Sequence, residues 1–222
     1  MLKDDTKEAT PIVKRALLNI LAVNVARSPT GSDLRMAVGL LYAQAEQLIY
    51  HDELGPRLSD CFELARAAGI TQPQLDWVRQ QTALEATVTL GATMIKQSIM
   101  RLCLVTEGLI IADMTFVSRA DVEQFRAQLN FIFEDAEETA ADDMDQMTYR
   151  TLVELHAAIV AFLIETARPL PSMLDFVFFN PMPTLVTANR LYYDATRADE
   201  LRYENHVVHP AFMRPSGRAL SF

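Results

Sequence analysis

Glycine, cysteine and uninterrupted apolar runs are all scarce in this chain of 222 residues. Its 7 glycines are few for a protein built mainly of sheet, which needs many turn residues, so the composition favours a mainly helical fold. The two cysteines, Cys61 and Cys103, are too few for a disulfide framework, and their apolar helical surroundings predict buried, reduced thiols. Charges such as Glu107 and Asp113 interrupt the longest apolar runs, so no membrane span is predicted.

Basic charge is also in short supply. The chain has 29 acidic and 20 basic residues and a net charge of −9, so binding to nucleic acid or to an anionic membrane is not expected to be its main function. The first residues, Met1 to Asp5, are polar and acidic and lack the apolar segment of a secretory signal. The sequence therefore predicts a protein that is made and folded in the cytosol.

No catalytic or metal-binding pattern stands out among the polar residues. The histidines show none of the spacings of zinc sites, and His206 with His209 is read as a hydrogen-bonded pair in a loop. The acidic segment 134–147 lacks the glycine and the final glutamate of a calcium loop, so it is interpreted as a solvated linker between helices. We predict no catalytic residue, no cofactor-binding residue, no metal ligand and no enzymatic activity.

Apolar residues recur at helical spacing through most of the first 171 residues. With their capping residues they predict helices that begin at Thr10–Pro11, at Thr30 or Ser32, near Leu58, near Pro73, at Ser118 and near Met147. Residues 1–9 are expected to be frayed. In the long segment from Pro73 to Asp113, Gly91 is the preferred break between helices.

The character of the sequence changes after Pro171. Leu174–Phe179 is aromatic and β-branched and is the best strand candidate; helices are predicted at 184–193 and 196–204, and a closing strand at 218–222.

The predicted fold is therefore mainly α, an antiparallel helical bundle followed by a small C-terminal β-α-α-β module. The predicted domains are 1–171, which contains the acidic linker, and 172–222. Core and turn positions of the module are expected at Leu191, Tyr192, Leu201, Asn205, Phe212 and Leu220.

Three stretches near the C-terminus carry a family resemblance. They are Leu185–Leu201, His209–Met213 and Gly217–Leu220. Together they resemble the C-terminus of the Mu-like phage tail proteins called DNA circularisation, or circulation, proteins, and a weaker resemblance extends back to about residue 100. The resemblance implies a structural virion protein of a contractile tail, at the baseplate hub or tube-initiation region, assembled in the host cytoplasm. It also implies tube, hub and tape-measure proteins as partners and a cyclic homo-oligomer.

The same segment resembles a LysM module in its β-α-α-β order, with Asn205, Pro210 and Gly217 near the expected places. It departs from glycan-binding LysM modules in the first loop, where Met182–Leu185 replaces a Gly-Asp-Thr-Leu sequence. Losing that glycine changes the loop backbone that lines a glycan groove. A docking role is therefore preferred to peptidoglycan binding.

A second departure concerns the N-terminal helices, which do not match the domain for which the phage family is named. DNA circularisation is not expected, in keeping with the acidic charge. Two alternatives remain open. The first is a peptidoglycan-binding anchoring protein, and the second is an assembly chaperone that is absent from the finished tail.

Overall fold

A computed structural model describes residues 3–23 and 27–221. In this part of the chain the fold is 73% helical, with nine α-helices and one small antiparallel sheet near the C-terminus, which confirms the predicted fold class. The elements are α1 (Lys3–Val23), α2 (Pro29–Tyr50), α3 (Leu54–Ala67), α4 (Gln72–Ala83), α5 (Leu90–Ala112), α6 (Arg119–Asp142), α7 (Gln146–Ala167), β1 (Met173–Val177), α8 (Thr184–Tyr192), a single 3-10 turn (Ala195–Arg197), α9 (Ala198–Glu204) and β2 (Ser216–Leu220).

The chain forms two compact units. The N-terminal unit contains the described residues up to 114 together with 136–155, and the C-terminal unit contains 115–135 together with 156–221. The start of α6 and the end of α7 group with the β-α-α-β module in the C-terminal unit. Within that unit the backbone N–H of Arg119 donates to the Pro171 carbonyl at 3.0 Å, which joins the start of α6 to the segment after α7.

Helices α1 to α5 build the core of the N-terminal unit. Helix α1 packs against α2, α4 and α5, while α3 packs against α2 and α5. The apolar stripe of α2 shows why, because Leu34, Val38, Leu41 and Ala45 share one face and are all buried. Burying each larger side chain of this kind stabilises the fold by about 2 kcal/mol.

The start of α1 differs from the prediction. Residues 3–9, expected to be frayed, are helical, and Pro11 lies inside the helix rather than in its first turn. Packing explains the extra turns, because Thr6 and Ala9 are buried. The Glu8 carboxylate also accepts hydrogen bonds from the backbone N–H groups of the loop before α5, including that of Thr89 at 2.8 Å. Residues 1, 2, 24–26 and 222, the last of which ends the predicted closing strand, lie outside the described part of the chain.

Two helix starts were also misplaced by the prediction. The cap of α2 is Ser28, whose hydroxyl accepts from the Gly31 N–H at 3.1 Å, rather than Thr30 or Ser32. Helix α3 begins at Leu54 rather than near Leu58, so Gly55 and Pro56 lie in its first turn. In both helices a proline occupies the first turn, where its missing N–H has no partner to lose.

The predicted break at Gly91 was close but wrong. The helices separate at residues 84–89, and Gly91 is the second residue of α5. A cap decides the boundary, because the Thr89 hydroxyl accepts from the Ala92 N–H at 3.3 Å.

The prediction of an acidic linker at 134–147 was wrong for most of this segment. Residues 134–142 are the last turns of α6, and only a short turn separates them from α7. The helix continues because Phe133 and Ala140 keep an apolar face buried while the acidic side chains occupy other faces. Asp145 then caps α7 by accepting from the Thr148 N–H at 3.2 Å.

The predicted cap of α6 is confirmed. The Asp121 N–H donates to the Ser118 hydroxyl, and the Ser118 N–H donates to the Asp121 carboxylate, both at 3.1 Å. This reciprocal pair satisfies two N–H groups at the helix start. Helix α7 is long and apolar enough to cross a membrane, and 17% of its apolar window is buried in the fold; a single helix of this kind is weak evidence for a membrane span.

Candidate functional site

The C-terminal module has the predicted β-α-α-β order. Strands β1 and β2 are antiparallel, with Met173 opposite Leu220 and Val177 opposite Ser216. Helices α8 and α9 lie between the strands in sequence, and their buried side chains form a separate small core with the sheet. Its buried apolar members are Phe176, Ala188, Tyr192, Ala198, Leu201, Met213 and Ala219.

One side chain ties α9 to β2. The Asn205 amide donates to the carbonyls of Leu201 at 2.9 Å and Arg218 at 2.7 Å, and its oxygen accepts from the Arg218 N–H at 2.7 Å. Gly217 makes this approach feasible, since a Cβ there would lie 2.9 Å from the Phe176 ring and would clash with the Asn205 side-chain oxygen. Asn205 and Gly217, which were singled out from the LysM resemblance, therefore depend on each other.

An ion pair stiffens the turn between α8 and α9. Arg197 donates twice to the Glu200 carboxylate, at 2.6 and 3.1 Å, and its guanidinium lies 3.8 Å from the centroid of the Tyr192 ring. Tyr193 ends α8 with φ +56, and Asp194 then accepts from the Thr196 N–H at 2.9 Å. The turn is thus fixed by local contacts rather than by burial.

Two loops at one end of the module are bonded directly to each other. The Thr184 N–H donates to the Pro210 carbonyl at 2.7 Å, and the Met213 N–H donates to the Met182 carbonyl at 3.1 Å. The Thr184 hydroxyl adds a third bond to the same Pro210 carbonyl at 3.2 Å. The loop that was expected to differ from glycan-binding modules is therefore held against its neighbour by main-chain hydrogen bonds.

Four exposed apolar side chains lie on these tied loops and on the first turn of α8, and we call them the loop-end surface: Phe179, Leu185, Val208 and Phe212. Phe179 is fully exposed, Val208 is 92% exposed and Phe212 is 75% exposed. Exposed apolar side chains on an ordered part of a fold offer surface that a partner can bury. This surface is the candidate functional site of the module.

The predicted core positions are mostly confirmed. Tyr192, Leu201 and Leu220 are buried, and Leu191 is partly buried against the same cluster. The prediction of a core position for Phe212 was wrong, because its side chain is exposed to solvent. Its neighbour Met213 is 1% exposed and takes the core position, since the bond to Met182 turns that residue inward.

The histidines make ordinary structural contacts. His209 accepts a hydrogen bond from the Ala211 N–H at 3.2 Å, a contact within its own loop rather than one with His206. His156 stacks on Phe133 with the ring centroids 4.9 Å apart and shares a hydrogen bond with Asn130 at 3.0 Å. Among residues 3–23 and 27–221, no group of three or more His, Cys, Asp or Glu side chains is placed to hold a metal ion.

A buried carboxyl group in the N-terminal unit was missed from the sequence. Glu107 is 1% exposed, and its Oε2 accepts from Gln72 at 3.4 Å. Burial raises the pKa of Glu107 to about 7; Arg79 and Gln72 lower it and Asp76 raises it. The available signal was a lone carboxylate four residues after Cys103 in an apolar run, which the sequence analysis used only to exclude a membrane span.

Both cysteines are free and buried, as predicted. Burial raises the pKa of the Cys61 thiol to about 11, with a further contribution from Asp60. Burial, followed by the charge of Glu107, raises the pKa of the Cys103 thiol further. Neither thiol is poised as a nucleophile, because a reactive cysteine needs a lowered pKa.

No protein-family model matches the chain, and no curated protein matches it.

Proposed function

We propose that this chain is a non-enzymatic structural protein of a contractile phage tail, which docks on a neighbouring tail protein through the loop-end surface. The resemblance of Leu185–Leu201 and the segments after it supports the tail assignment. The loop-end surface is the observation that carries the docking role. The LysM-like module would serve as an adaptor at the baseplate hub or at the start of the tube.

The geometry of the loops favours protein docking over glycan binding. Direct bonds between Thr184 and Pro210, and between Met182 and Met213, occupy main-chain groups that would otherwise face a ligand. A glycan offers hydroxyl and amide groups that need polar partners, whereas Phe179, Val208 and Phe212 present apolar surface on these loops. An apolar partner face satisfies them by excluding water.

The proposed partners are the tube, hub and tape-measure proteins, and the proposed assembly is a cyclic homo-oligomer around the tail axis. The location that follows is the virion tail, after assembly in the host cytoplasm. Mass spectrometry of the tail fraction from purified particles checks this directly. The chain is expected in finished tails, and its presence only in assembly intermediates would favour the chaperone alternative.

The loop-end surface is tested by substitution. Phe179→Ser combined with Phe212→Ser removes two exposed rings, at a cost to folding of about 0.5 kcal/mol each because neither is in the core. The matched control is Tyr203→Ser, on α9 and also exposed, at 71%. In a complementation experiment the double variant is expected to be lost from tails and the control retained. Equal incorporation would refute the assignment of this surface.

The peptidoglycan alternative is tested with the full chain and purified sacculi. We expect the protein to remain in the supernatant. Retention that disappears in the Phe179→Ser, Phe212→Ser variant would instead support a cell-wall anchor.

A further inference from the structure

An apolar groove of about 730 Å³ lies in the N-terminal unit, beside α5. Its inner surface includes the buried side chains of Ile49, Leu54 and Leu58, with Ile95 and Leu102 from α5. The volume falls within the range of about 300–1,000 Å³ that is typical of ligand-binding clefts. No part of the tail proposal uses this groove.

The groove is elongated. The residues of α5 that line it extend from Leu90 to Leu102 along one face. At about 1.5 Å per residue this face is about 18 Å long, the length of three helical turns. A groove of this length matches the apolar stripe of a short helix, whose contacts recur at positions i, i+3, i+4 and i+7.

Two features leave the groove open to a partner. Leu90 is 75% exposed and Met94 is 58% exposed, so their apolar surface is not used inside the fold. At Gly55, in the first turn of α3, an added Cβ would meet nothing within 4 Å. Methionine also adapts its shape to a partner more readily than branched side chains do.

The charges around the groove define the partner further. Asp5 and Asp52 line it, and among the described residues no Lys or Arg does so. A second copy of this chain also has a net charge of −9 and would be repelled at long range. A partner with basic residues beside its apolar stripe would complement the two carboxylates.

We propose that the groove between α3 and α5 binds an amphipathic helix of another protein, with the apolar stripe against Leu58 and Leu102 and flanking Lys or Arg residues near Asp5 and Asp52. This inference is independent of the phage-tail proposal, because it rests on different residues and on no family resemblance.

The probes are two labelled synthetic peptides of about 14 residues, long enough to cover three turns. Both carry leucines at i, i+3, i+4 and i+7, and the polar positions are lysine in one and glutamate in the other. Fluorescence anisotropy with the full chain measures binding. We expect saturable 1:1 binding of the lysine peptide in the micromolar range and at least about tenfold weaker binding of the glutamate peptide.

Glycine substitutions locate the binding site. Gly55→Leu places a side chain in the groove. It is expected to weaken binding of the lysine peptide at least about tenfold. Gly39→Leu is the matched control, since Gly39 is also an exposed helical glycine whose added Cβ would meet nothing within 4 Å. It is expected to leave affinity unchanged, and circular dichroism checks that both variants fold.

A charge variant tests the choice of partner. Asp5→Asn with Asp52→Asn keeps the shape of the groove, and asparagine tolerates the φ of +61 at position 52. The ratio of the affinities for the lysine peptide and the glutamate peptide is expected to fall to about twofold.

Three outcomes would overturn the proposal. One is no saturable binding of either peptide, and another is binding that Gly55→Leu does not weaken. The third is self-association in sedimentation experiments that Gly55→Leu abolishes, which would identify a second copy as the occupant.

Discussion

Replacing the buried carboxyl group of Glu107 by an amide should change how the stability of the N-terminal unit depends on pH. In the folded protein its pKa is about 7, chiefly because burial disfavours the charged form, whereas the ordinary value is 4.5. Between these two pH values the unfolded chain has lost the proton and the folded chain still holds it. The free energy of unfolding therefore falls as pH rises from 4.5 to 7 and levels off above.

The difference between a pKa of about 7 and 4.5 corresponds to about 3 kcal/mol at about 1.4 kcal/mol per tenfold change in proton affinity. Glu107→Gln has no such proton equilibrium. We therefore expect the variant to be more stable than the wild type by about 2–3 kcal/mol at pH 8, and the two to differ by less than about 1 kcal/mol at pH 5.

Urea unfolding at several pH values, followed by tryptophan fluorescence, measures this effect. Trp77, the only tryptophan of the chain, lies on α4 in the same unit as Glu107. Glu46→Gln, at an exposed position on α2, is the control and should leave the pH profile unchanged. Parallel profiles for the wild type and Glu107→Gln, or a variant that is less stable at pH 8, would refute the argument.

Three further predictions concern other parts of the chain. Gly217→Ala should destabilise the C-terminal module by about 2–3 kcal/mol, because the new Cβ displaces the Asn205 amide from its three hydrogen bonds; thermal unfolding and hydrogen exchange in the module measure the loss. Ser28→Ala should destabilise the N-terminal unit by about 1 kcal/mol through loss of the α2 cap, and urea unfolding measures this. Cys61 and Cys103 should react slowly with a thiol reagent at pH 8 in the folded protein and rapidly in urea, since burial raises both pKa values.

Local signals in the sequence predicted structure well where a few neighbouring residues decide it. The cap formed by Ser118 and Asp121 needs only the residues of one turn, and it was placed correctly. Gly69, which follows the end of α3 with φ +84, is another local signal, because glycine adopts this backbone conformation without strain. In the C-terminal module, short elements lie between clear turn residues, and its order of strands and helices was also predicted correctly.

Packing between distant segments explains the errors. Residues 3–9 look polar, but Thr6 and Ala9 are buried by contacts that no local pattern reveals. The acidic stretch after Phe133 looks like a linker by composition, yet residues at helical spacing keep it in α6. Composition reports the solvated face of such a segment, whereas the buried face determines whether it is helical.

The two proposed surfaces depend on different interactions and are therefore independent. The loop-end surface depends on main-chain bonds such as that between Thr184 and Pro210, and the groove depends on the packing of α3 and α5. They belong to different compact units and share no residue. Substitutions at sites that share no partners are generally additive. Gly55→Leu should therefore leave the loop-end contacts intact, and Phe212→Ser should leave peptide binding in the groove unchanged.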